Sequence, residues 1–285
     1  MDMDTLMAGI GFPPEEAGLV REFPLSQAEW QTWKECYEQD RAGFYEALEA
    51  APDTEMRAMA LYVRLAAEAL PRFLDRGADE AIYLDTFRDL TLWCGFFHRT
   101  EGRCGLREYR WLSHAVDATL FRLGRLEFEA SRTLEDIRLN GAVLPAGTPV
   151  VDVHIPEGPG LTRGDVLNSF HRAKDFFGPE LRYFACFSWM LSPALDLVLD
   201  PGQSSILWFR SLFHVYGVDY HFPDMERRLY GKIRPDKEQY PEDTSLQRRA
   251  KPYIMQGMNF GMGKGILPVD ELTNIQDTNS AGSFY

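Results

Sequence analysis

The apolar positions in the first 118 residues recur every three or four residues, which is the spacing of amphipathic helices. Ser26 followed by Glu29 matches a capping box and predicts the start of one helix. Breaks at Pro52-Asp53 and Asp75-Arg76-Gly77 predict two further helices, and residues 106–120 predict a fourth. The first of these helices carries the apolar residues Trp30, Trp33, Tyr37, Phe44, Tyr45 and Leu48. Because no segment here alternates with period two, we predict a helical bundle with an aromatic core.

Strand patterns begin near residue 120. Residues 120–129 predict a strand in which Gly124 marks a bulge, and Asn140-Gly141 predicts a hairpin turn. Residues 183–191 are almost continuously apolar, which predicts an interior strand covered on both faces. Residues 215–222 alternate, so their aromatic positions are predicted to face the core.

Helical segments are interspersed with these strands. Ser192-Pro193 and Ser204-Ser205 predict short helices, and residues 244–256 predict a longer one that Pro252 kinks or shortens. The fold class is therefore predicted as α+β, in which a helical domain over residues 1–118 precedes a mixed α/β domain over residues 119–285.

One stretch in the second domain carries a strand, a glycine turn and a helix in succession. Residues 150–156 predict a buried strand, and the glycines at 158 and 160 end it. Thr162 with Asp165 predicts a capping box at the start of a helix, which Gly178-Pro179 stops. This geometry points backbone N–H groups at whatever lies above the end of the strand.

Composition limits the possible partners. The chain has 285 residues, of which 45% are hydrophobic, and a formal net charge of −13, which disfavours binding to nucleic acid or to anionic lipid. No apolar run approaches the ~20 residues needed to cross a bilayer, and the acidic first residues do not resemble a signal peptide. The four cysteines form no C-x-x-C pair, so we expect reduced thiols and a soluble, cytoplasmic protein. The oligomeric state stays open.

Several polar residues are candidates for chemistry. Asp152 and His154 lie two residues apart, so on a strand they share a face and form either a general base with its orienting partner or a polar end of the sheet. Ser188 either contacts a cofactor amide or bonds to backbone, and it lacks the G-x-S-x-G context of a hydrolase.

Two further patterns lack the context that their chemistry requires. Gly261–Gly265 resembles a phosphate loop but leads into no helix. Asp219, His221 and Asp224 match no metal-ligand spacing, and we predict no metal site.

These segments together resemble a bacterial family of acyltransferase-like proteins, in which a helical N-terminal domain precedes a GNAT-like (N-acetyltransferase-like) domain. The matching segments recur in order over nearly the whole chain: residues 120–129, 153–156, 186–191, 205–206, 211–213 and 244–248.

The resemblance implies an acyl-CoA co-substrate, with an acetyl or longer chain. The thioester would lie along residues 150–156, at the backbone of Val153 and Ile155, where this strand splays from residues 183–191. The pyrophosphate would rest on Gly158, Gly160, Leu161 and Thr162, with Gly160 at a positive φ. The candidate base residues are Asp152 and His154.

Three departures from the family pattern bear on activity. Pro159 removes one amide donor from the turn, and Glu157 adds a negative charge beside it. Phe213 stands where many GNAT enzymes place a tyrosine acid, and His214 and Tyr216 are the nearest groups that could replace it. His214 is the preferred candidate, because the alternation with Val218 and Tyr220 predicts a core position for Tyr216. The resemblance implies an N-acyltransferase acting on a small amine or a peptide amine. The alternative is a catalytically degenerate GNAT-like module that binds a ligand or a partner.

Overall fold

The structure is a computed structural model that describes residues 1–139 and 141–274. The chain forms two compact units, Met1–Arg122 and Leu123–Tyr285. The domain ranges predicted from the sequence, 1–118 and 119–285, stay a prediction, and residues 275–285 lie outside the described part.

The first unit is helical in its regular structure as far as Val116, which confirms the predicted bundle. Its helices are α1 (Met3–Gly9), α2 (Pro14–Glu22), α3 (Gln27–Gln39), α4 (Arg41–Glu49), α5 (Thr54–Asp75), α6 (Glu80–Glu101) and α7 (Tyr109–Val116). The predicted capping box of Ser26 and Glu29 begins α3. The sequence predicts one continuous helix from this cap to Leu48, but the structure has two. Asp40 ends α3, and its carboxylate accepts a hydrogen bond from the amide of Gly43 and so begins α4.

Aromatic side chains form the core of this unit, as predicted. Tyr37, Phe44 and Tyr62 are at most 1% exposed, and their rings meet edge to face or tilted. The buried hydroxyls are paired: those of Tyr45 and Tyr62 lie 2.6 and 2.7 Å from the Ser113 hydroxyl.

The second unit is a mixed sheet with helices, which confirms the predicted fold class. Strand β1 (Leu120–Leu123) spans the division between the units. The other strands and helices are β2 (Leu126–Arg132), β3 (Ile137–Leu139), β4 (Ala142–Leu144), β5 (Pro149–His154), α8 (Arg163–Phe177), β6 (Tyr183–Ser188), α9 (Ser205–Ser211), β7 (His214–Asp219), α10 (Asp224–Tyr230), α11 (Ser245–Met255) and β8 (Met262–Pro268). As predicted, Ser204 caps α9. The helix predicted over residues 244–256 is α11, and it continues past Pro252 to Met255.

The strands of the sheet that lie wholly in this unit are ordered β2-β5-β6-β8-β7. Only the β5–β6 pair is parallel among these neighbours, and β3 pairs with β4 in a separate hairpin. This hairpin flanks the predicted Asn140-Gly141 turn, although Asn140 itself lies outside the described residues. Helix α8 covers one face of the sheet through Phe170, which packs on Phe128 and Phe184.

Two local predictions in this unit are wrong. Gly124 is not a bulge but part of the turn between β1 and β2, with φ +91°. Residues Tyr216, Tyr220 and Phe222 are not core but 37%, 57% and 46% exposed. The physical reason is that β7 is an edge strand whose register shifts between Val215 and Gly217.

The glycine-rich segment at residues 261–265 is largely strand β8. A β-carbon on Gly263 would lie 2.7 Å from the Leu191 β-carbon, and one on Gly265 would lie 2.7 Å from Leu191 Cδ1. Because these glycines have no side chain, the 3₁₀ turn Trp189–Leu191, which follows β6, can pack closely against β8.

None of the helices within the described ranges combines the length and the apolarity that a membrane crossing requires.

Candidate functional site

Strands β5 and β6 separate part-way along their length. The ladder that joins them contains only the pairs Val151–Phe184 and Asp152–Ala185. Strand β5 nevertheless continues to His154, and β6 continues to Ser188.

Each of the two strands keeps its outer neighbour beyond that point. Strand β5 stays paired with β2 as far as His154 opposite Glu127, and β6 stays paired with β8 as far as Ser188 opposite Gly263. The sheet therefore divides into two halves with a gap between β5 and β6. The backbone N–H and C=O groups that border this gap lie outside the β5–β6 ladder. Residues 150–156 and 183–191, which the resemblance identified as neighbouring strands that splay apart, are thus neighbours in the sheet. Val153 and Ile155 lie beyond the last β5–β6 pair.

Acidic side chains surround the predicted Asp152–His154 pair. The register places Glu129 opposite Asp152 and Glu127 opposite His154, so all four share the face of the sheet remote from α8. His154 Nε2 lies 3.9 Å from Glu129 Oε2, and Glu127 is 1% exposed. Neither Glu127 nor Glu129 was predicted from the sequence as a site residue. The signal was present, because Glu127 and Glu129 alternate with apolar residues in a strand pattern.

The carboxyl group of Asp152 sits in an environment that favours its protonated form. Burial raises its pKa, a hydrogen bond from Ser131 lowers it, and the negative charge of Glu129 raises it further. A histidine beside such carboxylates can accept a proton, because their charge stabilises the imidazolium. The face can therefore hold a proton taken from a bound amine.

The glycine turn leads into α8 as predicted. Thr162 caps the helix by accepting from the Asp165 amide at 3.1 Å, and Gly178 ends it. The capping box is not reciprocal, because the short Asp165 side chain accepts instead from the Thr162 hydroxyl at 2.6 Å. The positive φ predicted for Gly160 is wrong: Gly158 has it, at +150°.

Arg125, which was not predicted from the sequence as a site residue, holds the glycine turn in place. The Arg125 guanidinium donates to the carbonyls of Pro156 at 2.9 Å and Pro159 at 3.0 Å. Its amide donates to the buried Ser169 hydroxyl at 2.8 Å, which in turn donates to the Asp165 carbonyl at 2.7 Å. A fixed positive charge thus lies beside the N-terminus of α8, where the first helical amides and the helix dipole favour an anion.

The remaining predicted residues lie elsewhere in the unit. Ser188 accepts from the Met190 amide at 3.2 Å, which is the structural alternative considered for it. Phe213 is 7% exposed and packs on Phe170 and Phe209 in the core.

His214 is distant from the predicted pair. It lies on β7, with Nε2 2.8 Å from Glu271 Oε2. Strands β8 and β6 separate β7 from β5, which corresponds to about 14 Å at the usual strand spacing. The structure therefore brings Asp152 and His154 together but not His214.

Two family profiles match this chain. The profile of the N-acyltransferase N-terminal domain covers residues 1–118, and that of the GNAT-like C-terminal domain covers residues 120–267. Among curated proteins no sequence matches significantly.

Solved acyltransferases share the fold. An acyltransferase in complex with decanoyl-CoA and teicoplanin superposes with a TM-score of 0.75 at 19% identity, over 93% of this chain and 87% of that chain. An acyltransferase variant in complex with octanoyl-CoA gives 0.74 at 18% identity, over 93% and 87%. An acyltransferase in complex with CoA and 10C-teicoplanin gives 0.61 at 19% identity, over 94% and 100%.

Proposed function

Because this chain belongs to the family that joins an N-acyltransferase N-terminal domain to a GNAT-like C-terminal domain, we propose that it transfers an acyl group from acyl-CoA to an amine. The acceptor is a small molecule or a peptide. The observation that carries the proposal is the gap between β5 and β6, because it presents backbone donors to a thioester carbonyl beside a face that can accept a proton.

The donor's two ends would meet different parts of the site. The thioester lies along β5, where the backbone of Val153 or Ile155 donates to its carbonyl oxygen. The pyrophosphate lies at residues 158–162, against the first amides of α8 and the positive charge of Arg125. Pro159 offers no amide there, so the helix amides carry more of the contact.

The reaction needs a neutral amine. His154 takes a proton from the ammonium group, and Glu129 stabilises the imidazolium. The amine nitrogen then forms a bond to the thioester carbon, and the C–S bond breaks to release CoA thiolate. The second proton of the attacking nitrogen passes to the departing CoA thiolate. The thiolate therefore needs no acid from residue 213, where phenylalanine cannot donate a proton.

The structural neighbours guide the choice of substrates. Two of them hold octanoyl- or decanoyl-CoA, and two hold a teicoplanin species. Medium-chain acyl-CoA donors and amine-bearing peptides or glycopeptides are therefore the first candidates for this chain.

A catalytically degenerate binding module is the second candidate function. The exposed Glu157 and the missing amide of Pro159 favour it, because both weaken the contact with a pyrophosphate. In this case acyl-CoA binds but is not consumed.

A two-stage experiment separates these functions. Isothermal titration with CoA, acetyl-CoA, octanoyl-CoA and decanoyl-CoA first measures binding, and release of free thiol in the presence of an amine panel then measures transfer. We expect binding of at least one acyl-CoA, followed by amine-dependent thiol release. Binding without release would identify a binding module. No heat and no shift in Tm at millimolar ligand would overturn both functions.

The role of His154 is tested with a matched histidine. We expect His154→Gln to lower kcat by roughly 10²–10⁴-fold, the range for loss of a general base, while the Kd for CoA stays unchanged. His171→Gln, at an exposed position on α8, should retain full activity. Equal rates for both variants would contradict the assignment of the base.

A further inference from the structure

Three side chains of the first unit bring together the ligand types that bind transition metals. Glu16 lies in the first turn of α2, His98 in the last turn of α6, and Cys104 in the loop that follows α6. Their ligand atoms all lie within 4.8 Å of one another. None of the three belongs to the site described above.

The distances within this cluster match the edges of a metal tetrahedron. His98 Nδ1 lies 3.3 Å from Glu16 Oε1 and 3.7 Å from Cys104 Sγ. Zinc binds nitrogen and oxygen at about 2.0 Å and sulfur at about 2.3 Å, so its tetrahedral ligands lie roughly 3.3–3.6 Å apart. Without a metal, the imidazole and the Cys104 thiol can each donate a hydrogen bond to the Glu16 carboxylate. The combination of one nitrogen, one oxygen and one sulfur atom at these separations is also the ligand set of a zinc site. A cation at the centre satisfies all three groups at once.

Burial also favours a cation here. Glu16 is 4% exposed and Cys104 is 9% exposed. A buried carboxylate is costly unless it is paired, hydrogen-bonded or bound to a metal. An ion between these residues would balance the Glu16 carboxylate and a Cys104 thiolate together.

The loop that carries Cys104 is held by its backbone. Gly102 ends α6 with φ +70°, and Gly105 has φ +155° with no room for a β-carbon beside Phe97. The amide of Leu106 then donates to the Glu55 carbonyl at 2.9 Å. Cys104 is therefore fixed beside His98 before any ligand arrives, which lowers the entropic cost of binding.

A cavity of about 690 Å³ opens onto the cluster and is lined by both His98 and Cys104. Its lining also includes the carboxylates Glu15, Asp53 and Glu55, of which Asp53 pairs with Arg57 and Glu55 pairs with Arg103. We propose that Glu16, His98 and Cys104 bind one Zn²⁺ ion whose fourth coordination position opens onto this cavity. Three protein ligands and one open position distinguish such a site from a closed structural one.

Cobalt spectroscopy tests the proposal without any enzymatic assay. The full chain is stripped with a chelator, kept reduced, and titrated with Co²⁺. We expect one Co²⁺ per chain, a thiolate-to-metal charge-transfer band and visible bands of tetrahedral intensity, all displaced by Zn²⁺. Zn²⁺ should also raise the Tm by several degrees, since it binds the folded state.

Matched variants identify the ligands. Cys104→Ser should abolish the charge-transfer band, whereas Cys36→Ser should keep it. Glu16→Gln should weaken Co²⁺ binding by about tenfold or more, while Glu15→Gln, next to it in the chain, should have little effect.

Folding of each metal-free variant is checked by circular dichroism. If Cys104→Ser fails to fold, X-ray absorption at the zinc edge of the wild-type protein decides, because the proposal requires one sulfur ligand among nitrogen and oxygen ligands. Absence of a stoichiometric band, a band that survives Cys104→Ser, or a zinc edge without sulfur would overturn the proposal.

Discussion

At the scale of single residues, a substitution at Gly160 should affect ligand binding without affecting folding. A β-carbon on Gly160 meets no atom within 4 Å, and the residue does not adopt a left-handed φ. Gly160→Val should therefore leave the Tm unchanged. Beside a bound pyrophosphate the added side chain occupies ligand space, so we expect the Kd for CoA to rise by about tenfold or more, measured by isothermal titration.

Gly18→Val is the control for this change, because a β-carbon on Gly18 of α2 also meets no atom within 4 Å. It should alter neither the Tm nor the Kd. An unchanged Kd in Gly160→Val would place the pyrophosphate away from this turn.

The carboxyl group of Asp152 should make the folded state less stable as the pH rises, which is the reverse of the usual effect of an aspartate. Its pKa is raised by burial, so the folded state holds the proton more tightly than the unfolded state. Stability is therefore lost as the pH rises from the unfolded pKa through the folded one. We expect Asp152→Asn to raise the Tm at neutral pH, with the gain vanishing in acid, as measured by thermal unfolding across pH.

Asp219 provides the opposite case on β7. Hydrogen bonds from the amide and then the side chain of His221 lower its pKa, so its stabilising effect is present above the unfolded pKa and is lost as the pH falls through the folded one. Asp219→Asn should lower the Tm at neutral pH. The same sign for both variants would contradict the environments described for these carboxyl groups.

At the scale of elements, β8 and the turn after β6 depend on glycine. Gly263→Ala places a β-carbon against the backbone carbonyl of Leu191, so one of the two segments must shift. Overpacking of this kind costs about 1–3 kcal/mol of unfolding free energy. We expect that loss in urea unfolding, together with weaker acyl-CoA binding, because the displaced turn directly follows the end of β6 that borders the β5–β6 gap.

Gly217→Ala on the neighbouring strand is the matched control. Its β-carbon would make only an ordinary 3.7 Å contact with Lys264 Cδ, so stability should change by less than ~0.5 kcal/mol. If Gly263→Ala and Gly217→Ala lost the same unfolding free energy, the loss would come from replacing any glycine in a strand and not from the contact with Leu191.

The elements that local chemistry specifies could be predicted from the sequence. Thr162 and Gly178 bound α8 because their caps depend on residues a few positions away. Strand β8 could not be predicted, because its glycines weaken any strand pattern and are required only by contact with Leu191. The carboxylates beside His154 were likewise missed, since they depend on which strand pairs with β5.

At the scale of the whole molecule, net charge acts on ligand association. The formal net charge is −13, and CoA is a polyanion, so the long-range field repels it. Salt screens such a field, since the Debye length falls from about 30 Å at 0.01 M to about 8 Å at 0.15 M. We expect the association rate constant for CoA, measured by stopped flow, to rise over this range.

Dephospho-CoA carries less charge and should show a smaller rise. A rate that falls with salt would mean that the local positive charge near Arg125 governs the encounter rather than the net charge.

Long-range assembly also explains why the proposed zinc ligands gave no sequence signal. Glu16 and His98 are 82 positions apart, and only the packing of α2 near the end of α6 joins them. Metal motifs are recognised in a sequence by short ligand spacings, which this cluster lacks.

The gap between β5 and β6 has a consequence for solubility. A sheet that offers free backbone groups at its outer border invites strands from other chains and so promotes aggregation. Here the segments of β5 and β6 beyond their shared ladder face each other, and each of the two strands is paired on its outer side. The open segments are only a few residues long, too short for a stable foreign strand. The fold thus interrupts the sheet internally without adding an outer edge for intermolecular β-pairing.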